Sequence, residues 1–145
     1  MIILLDLDGV LIPAKSWLRP EILNDGFPSF SVSAVNTLNK IINSQTKIVL
    51  TTSHKDNYTV SEWVDIFKIR GIIVNDLSIM PNYSTFPVSR RESIEIWCIA
   101  NTEEFIIIDD DKSLNDLPIN IKKNLIQTSS FIGLREENIE QLISK

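Results

Sequence analysis

Short apolar runs alternate along the chain with longer stretches in which apolar positions recur every three or four residues. Five runs read as strands buried on both faces: Ile2–Leu7, Lys47–Leu50, Ile72–Val74, Phe105–Ile108 and Leu125–Gln127. Between them lie four helical patterns. Ser33–Asn43 places Val35, Leu38, Ile41 and Ile42 on one face, with Ser31 or Ser33 as the candidate cap. Val60–Lys68 groups Val60, Trp63, Val64 and Phe67, and Arg70-Gly71 closes it. Ser89–Ile99 brings Ile94, Trp97 and Cys98 together, and Glu136–Ser144 carries Ile139, Leu142 and Ile143. At these spacings Trp63, Trp97 and Cys98 read as core residues.

Strands alternating with helices predict an α/β fold: a Rossmann-like three-layer sandwich with a mostly parallel central sheet of about five strands. In such sheets ligands bind outside the carboxyl ends of the strands. The residues to inspect are therefore Asp6-Leu7-Asp8, Thr51-Thr52-Ser53, Asn75-Asp76 and Asp109-Asp110-Asp111. The length of 145 residues suits one domain over 1–145, with no internal repeat or linker. The segments Leu11–Val32 and Asn75–Val88 are too short for a separate cap domain, which predicts an open site.

Composition changes this picture little. The single Cys98 excludes a disulfide framework and fits a reducing compartment, so a cytoplasmic location is expected. The apolar start lacks a basic leader, and Asp6 and Asp8 interrupt it, so it does not read as a signal peptide. No run reaches the ~18 uninterrupted apolar residues of a membrane span. A net charge of −5 argues against non-specific binding to a nucleic-acid duplex, while leaving room for recognition of one phosphorylated end.

The strongest chemical signal is Asp6-Leu7-Asp8-Gly9-Val10. Side chains at i and i+2 of a strand share a face, so two carboxylates leave a buried strand close together. Such crowding at the edge of an apolar core is costly unless a cation or a reaction uses it. Taken alone, Asp-x-Asp-Gly is also ordinary turn chemistry. The three acids Asp109–Asp111 after Ile106–Ile108 pose the same question at a second strand end.

Together these segments resemble the haloacid dehalogenase-like (HAD) phosphatase superfamily. Asp6-Leu7-Asp8-Gly9-Val10 matches its first motif, Asp-x-Asp-Gly-(Val/Thr). Lys47–Ser53 matches the second, a strand ending in Thr or Ser, and Ile106–Asp110 the fourth, a strand ending in paired acids. Arg90, opening a helix, is the choice for the lone basic residue of the third. Arg90-Arg91-Glu92-Ser93-Ile94, Trp97 and the Asp-Asp strand resemble the small HAD domains of predicted RNA-repair proteins. There the second motif often continues Ser-Trp-Arg; here it continues Ser53-His54-Lys55.

The resemblance implies a Mg²⁺-dependent phosphomonoester hydrolase with an aspartyl-phosphate intermediate. Asp6 would be the nucleophile and Asp8 the acid and base. Asp6, the backbone carbonyl of Asp8, and one or both of Asp109 and Asp110 would hold Mg²⁺, with Asp110 preferred as the direct ligand. Thr51 or Thr52 would hydrogen-bond the phosphoryl group, Thr51 being preferred, and Arg90 would offset its charge. Gly9, Ser53, His54, Lys55 and Trp17 are further candidates for phosphate or substrate contact.

Lys15, Trp17, Arg19, Phe27 and Phe30 interleave basic and aromatic types after the first motif, a pattern that suits a single-stranded nucleic-acid end. Phe27 and Phe30 read more simply as anchors of that loop on the core, which leaves Trp17 as the stacking candidate. Lys55, Arg90, Arg91 and Lys112 put positive charge on the active edge of an acidic chain, a pattern that suits a polyanionic substrate and equally serves to compensate five nearby aspartates. Two alternatives share part of the pattern. A catalytically idle HAD-like binding module would keep the fold without the reaction. A phospho-acceptor receiver domain would place adjacent acids after its first strand, an order this chain does not follow.

Overall fold

The structure, a computed structural model, describes residues 1–14, 19–83 and 88–143. Its elements run in chain order as β1 (Ile2–Leu5), α1 (Val32–Ile41), β2 (Lys47–Leu50), α2 (Val60–Ile69), β3 (Asp76–Ile79), α3 (Arg90–Ala100), β4 (Phe105–Asp109), α4 (Ile119–Lys122), β5 (Leu125–Gln127) and α5 (Glu136–Ile143). Short 3₁₀ turns at Lys55–Asn57 and Lys112–Asp116 follow β2 and β4. Lys15 and Trp17 of the first loop, and Ser144 of the last predicted helix, lie outside the described residues.

All five strands are parallel, in the order β3-β2-β1-β4-β5. Alternation along the strands sorts the core into two faces, as the pleat requires. Ile3, Leu5, Ile48, Leu50, Ile106 and Ile108 pack with Leu38 of α1, Trp63 and Phe67 of α2, and Ile139 of α5. Ile2, Leu4, Val49 and Ile107 pack with Ile94 and Cys98 of α3 and Ile121 of α4 on the other side. The result is the predicted three-layer α/β sandwich. The strand order reverses between β1 and β4, and a doubly wound sheet opens its ligand crevice at such a switch point.

Side-chain caps set the helix starts. Ser31 rather than Ser33 caps α1, accepting a hydrogen bond from Ala34 N. Thr59 and Glu62 form a capping box on α2. Ser89 caps α3 and thereby sets Arg90 at its first position.

The third strand is a correction. The run Ile72–Val74 is not a strand; β3 is Asp76–Ile79. Gly71 adopts φ +88°, and the amides of Gly71 and Ile72 donate to the carbonyls of Lys68 and Phe67. These bonds form a Schellman closure of α2, and Ile72 is buried because that motif packs an apolar residue back on the helix. The true β3 is an edge strand in which only Leu77 is fully buried, so its pattern is weak. Asn75 and Asp76 consequently sit at the wrong end of the sheet, with Asp76 opposite Lys47 at the start of β2.

The loop from β1 to α1 carries no helix among its described residues. Ile22 and Pro28 form an isolated antiparallel bridge, and Phe27 and Phe30 are buried against α2, as loop anchors. Arg70 clamps this loop. Its five N–H groups reach Asp25 Oδ1 and Oδ2 and the carbonyls of Phe27, Pro28 and Ile66. A buried guanidinium with every donor used, paired bidentately, meets the condition for tolerable burial of charge.

Candidate active site

Asp6 directly follows β1 and remains in the sheet, its amide donating to Ile108 O at 3.1 Å. Asp109 ends β4, and Asp110 follows it. The neighbouring pairing of β1 and β4 therefore brings acids a hundred positions apart to one edge. One carboxylate oxygen from each of Asp6, Asp109 and Asp110 lies within 4.8 Å of the others. Asp6 is 1% exposed and Asp109 is fully buried.

Arg90 joins two of them. Its Nη1 donates to Asp6 Oδ2 at 3.2 Å and to Asp109 Oδ1 at 3.1 Å. One guanidinium does not balance three carboxylates. Burial, then the charge of Asp109, pushes the Asp6 carboxyl up to about 9, with Arg90 opposing. Burial pushes Asp109 up to about 6, again against Arg90. As protein alone, then, both acids are buried with their charge only partly offset by Arg90.

The hydrogen bonding says the same. Among the described residues, three buried side-chain oxygens have no partner: Asp6 Oδ1, Asp109 Oδ2 and Thr51 Oγ1. Leaving such a group unmet costs about 1–3 kcal/mol each, and native proteins seldom tolerate it without a ligand or water. The donor set is all oxygen, the preference of a hard divalent cation. The residues present thus fit a metal ion.

Asp8 behaves differently from its neighbour. The strand ends at Leu5, and Leu7 O accepts from the amides of Val10, Leu11 and Ile12, so the chain turns before strand alternation can carry Asp8 onto the face of Asp6. The Asp8 carboxylate is 53% exposed, stands outside the three-acid group, and lies 2.8 Å from His54 Nε2. Its carboxylate is thus not among the clustered metal-ligand candidates. Gly9 has φ +78°, and a Cβ there would overlap Asp110 Oδ2. Its place in the motif is thus explained by the space Asp110 needs. Gly9 O accepts a 2.7 Å bond from the buried Thr128 hydroxyl.

The two threonines are distinct. Thr51 continues the β2–β1 pairing through its amide to Leu5 O, and its hydroxyl is one of the unpartnered atoms. Thr52 Oγ1 accepts from His54 N at 3.3 Å. Ser53 is exposed. Lys55 Nζ is drawn to Asp56 Oδ2 and Asn82 Oδ1, at 3.1 and 2.8 Å. Arg91 faces Glu95 one turn along α3, and Arg19 and Lys112 are exposed. Trp17 lies outside the described residues. Sequence reasoning missed Ser130, whose hydroxyl donates to Asp110 Oδ2 at 2.7 Å, and Thr128. Both follow β5, so the rule of inspecting strand ends would have found them.

A family described as the HAD domain in Swiss Army Knife RNA repair proteins matches residues 2–139. The chain belongs to this family. No curated protein and no solved structure matches it. In this HAD domain the segments Asp6–Gly9, Thr51–Ser53 and Asp109–Asp110 follow or close the carboxyl ends of β1, β2 and β4, which are adjacent strands. No helix among the described residues of this HAD domain is long and apolar enough to cross a membrane.

Proposed function

We propose that this HAD domain is a Mg²⁺-dependent phosphomonoester hydrolase that works through an aspartyl-phosphate on Asp6. The observation that carries the reading is the bridge of Arg90 between Asp6 and Asp109, beside unpartnered oxygens of both acids and of Thr51. Asp6, Asp109, Asp110 and the carbonyl of Asp8 would hold the ion. When bound, it would neutralise the crowded acids and the phosphoryl oxygens.

The protein groups then divide the work. An Asp6 oxygen attacks phosphorus as the bond to the leaving oxygen breaks, and Asp8 gives that oxygen its proton. Asp8, now a carboxylate, takes a proton from water. That water attacks the phosphoryl group, which leaves as inorganic phosphate and returns the Asp6 carboxylate. Thr51 Oγ1 and Arg90 hold the transferring oxygens.

For the substrate we propose a phosphorylated nucleic-acid end or nucleotide, met in the cytoplasm by one domain formed from residues 1–145. The family's description concerns RNA repair, and the described residues of the loop after Asp8 form only isolated bridges, which supports a site open to a large substrate. The test is hydrolysis of an aryl phosphate with Mg²⁺ by the wild type and Asp6→Asn, followed by a panel of phosphorylated oligonucleotides, nucleotides and sugar phosphates. Equal rates in wild type and Asp6→Asn would sink the mechanism, leaving a binding module. Preference for a small sugar phosphate would refute the substrate class.

A further inference from the structure

We propose that His54 is the positioning residue of Asp8: it holds one carboxyl oxygen so that the other meets the leaving group. This rests on the phosphatase reading above. It starts from an asymmetry between the two acids of the first motif. Asp6 is fixed by burial, by the sheet and by Arg90, whereas Asp8 is half exposed on a turn. A proton donor that samples several rotamers wastes most of its encounters, since transfer needs hydrogen-bond reach to the leaving oxygen.

His54 supplies the constraint that the turn lacks. Its Nε2 stands 2.8 Å from Asp8 Oδ2. The imidazole is itself held on two sides. Its ring meets Phe27 edge to face, with centroids 5.6 Å apart and planes at 87°. Its amide donates to Thr52 Oγ1, and its carbonyl accepts from Asn57 N at 2.9 Å. Phe27 is in turn buried against Tyr58 and Trp63, and Arg70 binds its carbonyl at 2.8 Å. Thus the loop after the first motif reaches the chemistry through packing: Arg70 fixes Phe27, Phe27 fixes the imidazole, and the imidazole fixes Asp8.

The contact also divides the two oxygens of Asp8. In the tautomer that carries its hydrogen on Nε2, that N–H occupies Oδ2 and leaves Oδ1 to pass the acid proton to the leaving oxygen as its bond to phosphorus breaks. The same contact draws the carboxylate away from Asp6, Asp109 and Asp110, keeping Asp8 for proton transfer. A metal-bound carboxylate could not serve as acid.

The test compares His54→Phe, which keeps an aromatic ring against Phe27, with His54→Gln, which keeps an N–H donor. The readout is kcat/KM, which covers the step in which the leaving group departs, for p-nitrophenyl phosphate and for an alkyl phosphate. The first leaves without protonation and the second needs it. Complete loss of a general acid costs 10²–10⁴-fold. We expect His54→Phe to lose on the order of 10- to 100-fold on the alkyl ester and less than about 3-fold on the aryl ester, with His54→Gln recovering most of the loss. Equal losses on both esters, in variants with wild-type melting temperatures, would overturn the positioning role while leaving the phosphatase reading intact. A wild type inactive on both esters, or no slower as Asp6→Asn, would overturn that reading and this inference with it. Because His54 is the sole histidine, its imidazole ¹⁵N signals are also unambiguous. They should move in Asp8→Asn, and unmoved signals would refute the contact.

Discussion

Gly9 and Asp110 share one volume: the face of Gly9 where a side chain would stand is filled by the Asp110 carboxylate. The first and fourth motifs therefore interlock through the absence of a Cβ. The same carboxylate is held by Ser130 from a third loop, so it has little room to retreat.

Gly9→Ala should injure both the fold and the metal site. The positive φ alone costs about 1–3 kcal/mol for a residue with a side chain. Displacing Asp110 should also weaken divalent-ion binding. Urea denaturation and a calorimetric Mg²⁺ titration would check this. A variant with wild-type stability and wild-type metal affinity would contradict the interlock.

Thr51→Val and Thr52→Val should separate cleanly. Thr51 has an unpartnered buried hydroxyl, so its loss should leave stability unchanged or raise it by up to about 1 kcal/mol. Activity should fall on the order of 10²-fold, the usual result of losing one donor to a developing anion. Thr52 holds the His54 amide, so Thr52→Val should cost about 1 kcal/mol of stability. Thermal melts and steady-state rates on both variants would decide; matched behaviour would show that the hydroxyls are not differentiated.

Mg²⁺ should stabilise the protein more as pH rises. The carboxyls of Asp6 and Asp109 both lie above their ordinary value of 3.8. Their protonated forms therefore favour the metal-free fold. That stability is fully present below 3.8 and is lost as pH rises through about 6 for Asp109 and about 9 for Asp6. A divalent ion competes with those protons, so its benefit grows over the same window. At roughly a hundredfold excess over Kd the gain is about 2.7 kcal/mol. Melting curves with and without Mg²⁺ from pH 5 to pH 9 would show the trend. A Mg²⁺ effect that is constant, or shrinks with pH, would mean that the ion binds elsewhere.

Much of the site was legible because its acids follow apolar runs, and a run buried on both faces announces itself in one dimension. Asp6, Thr51 and Asp109 all stand where such a run ends, and Arg90 stands at the opening of a helical pattern. Ile72–Val74 misled for the same reason. Burial made it look like a strand, whereas Gly71 had already turned the chain into a helix closure. The edge strand Asp76–Ile79 buries too little to be seen.

By itself, then, the sequence determined the α/β class, the helix starts and the acids at strand ends, because these depend on periodicity and near neighbours. Tertiary structure alone decided how those acids differ. The order β3-β2-β1-β4-β5 places Asp6 beside Asp109, and no local pattern encodes which strands adjoin. Burial then withdraws Asp6 from water, while the turn at Leu7 carries Asp8 out to His54. Two aspartates of one motif, alike in sequence, thus stand in opposite surroundings, because solvation and partners are set by packing across the whole sheet.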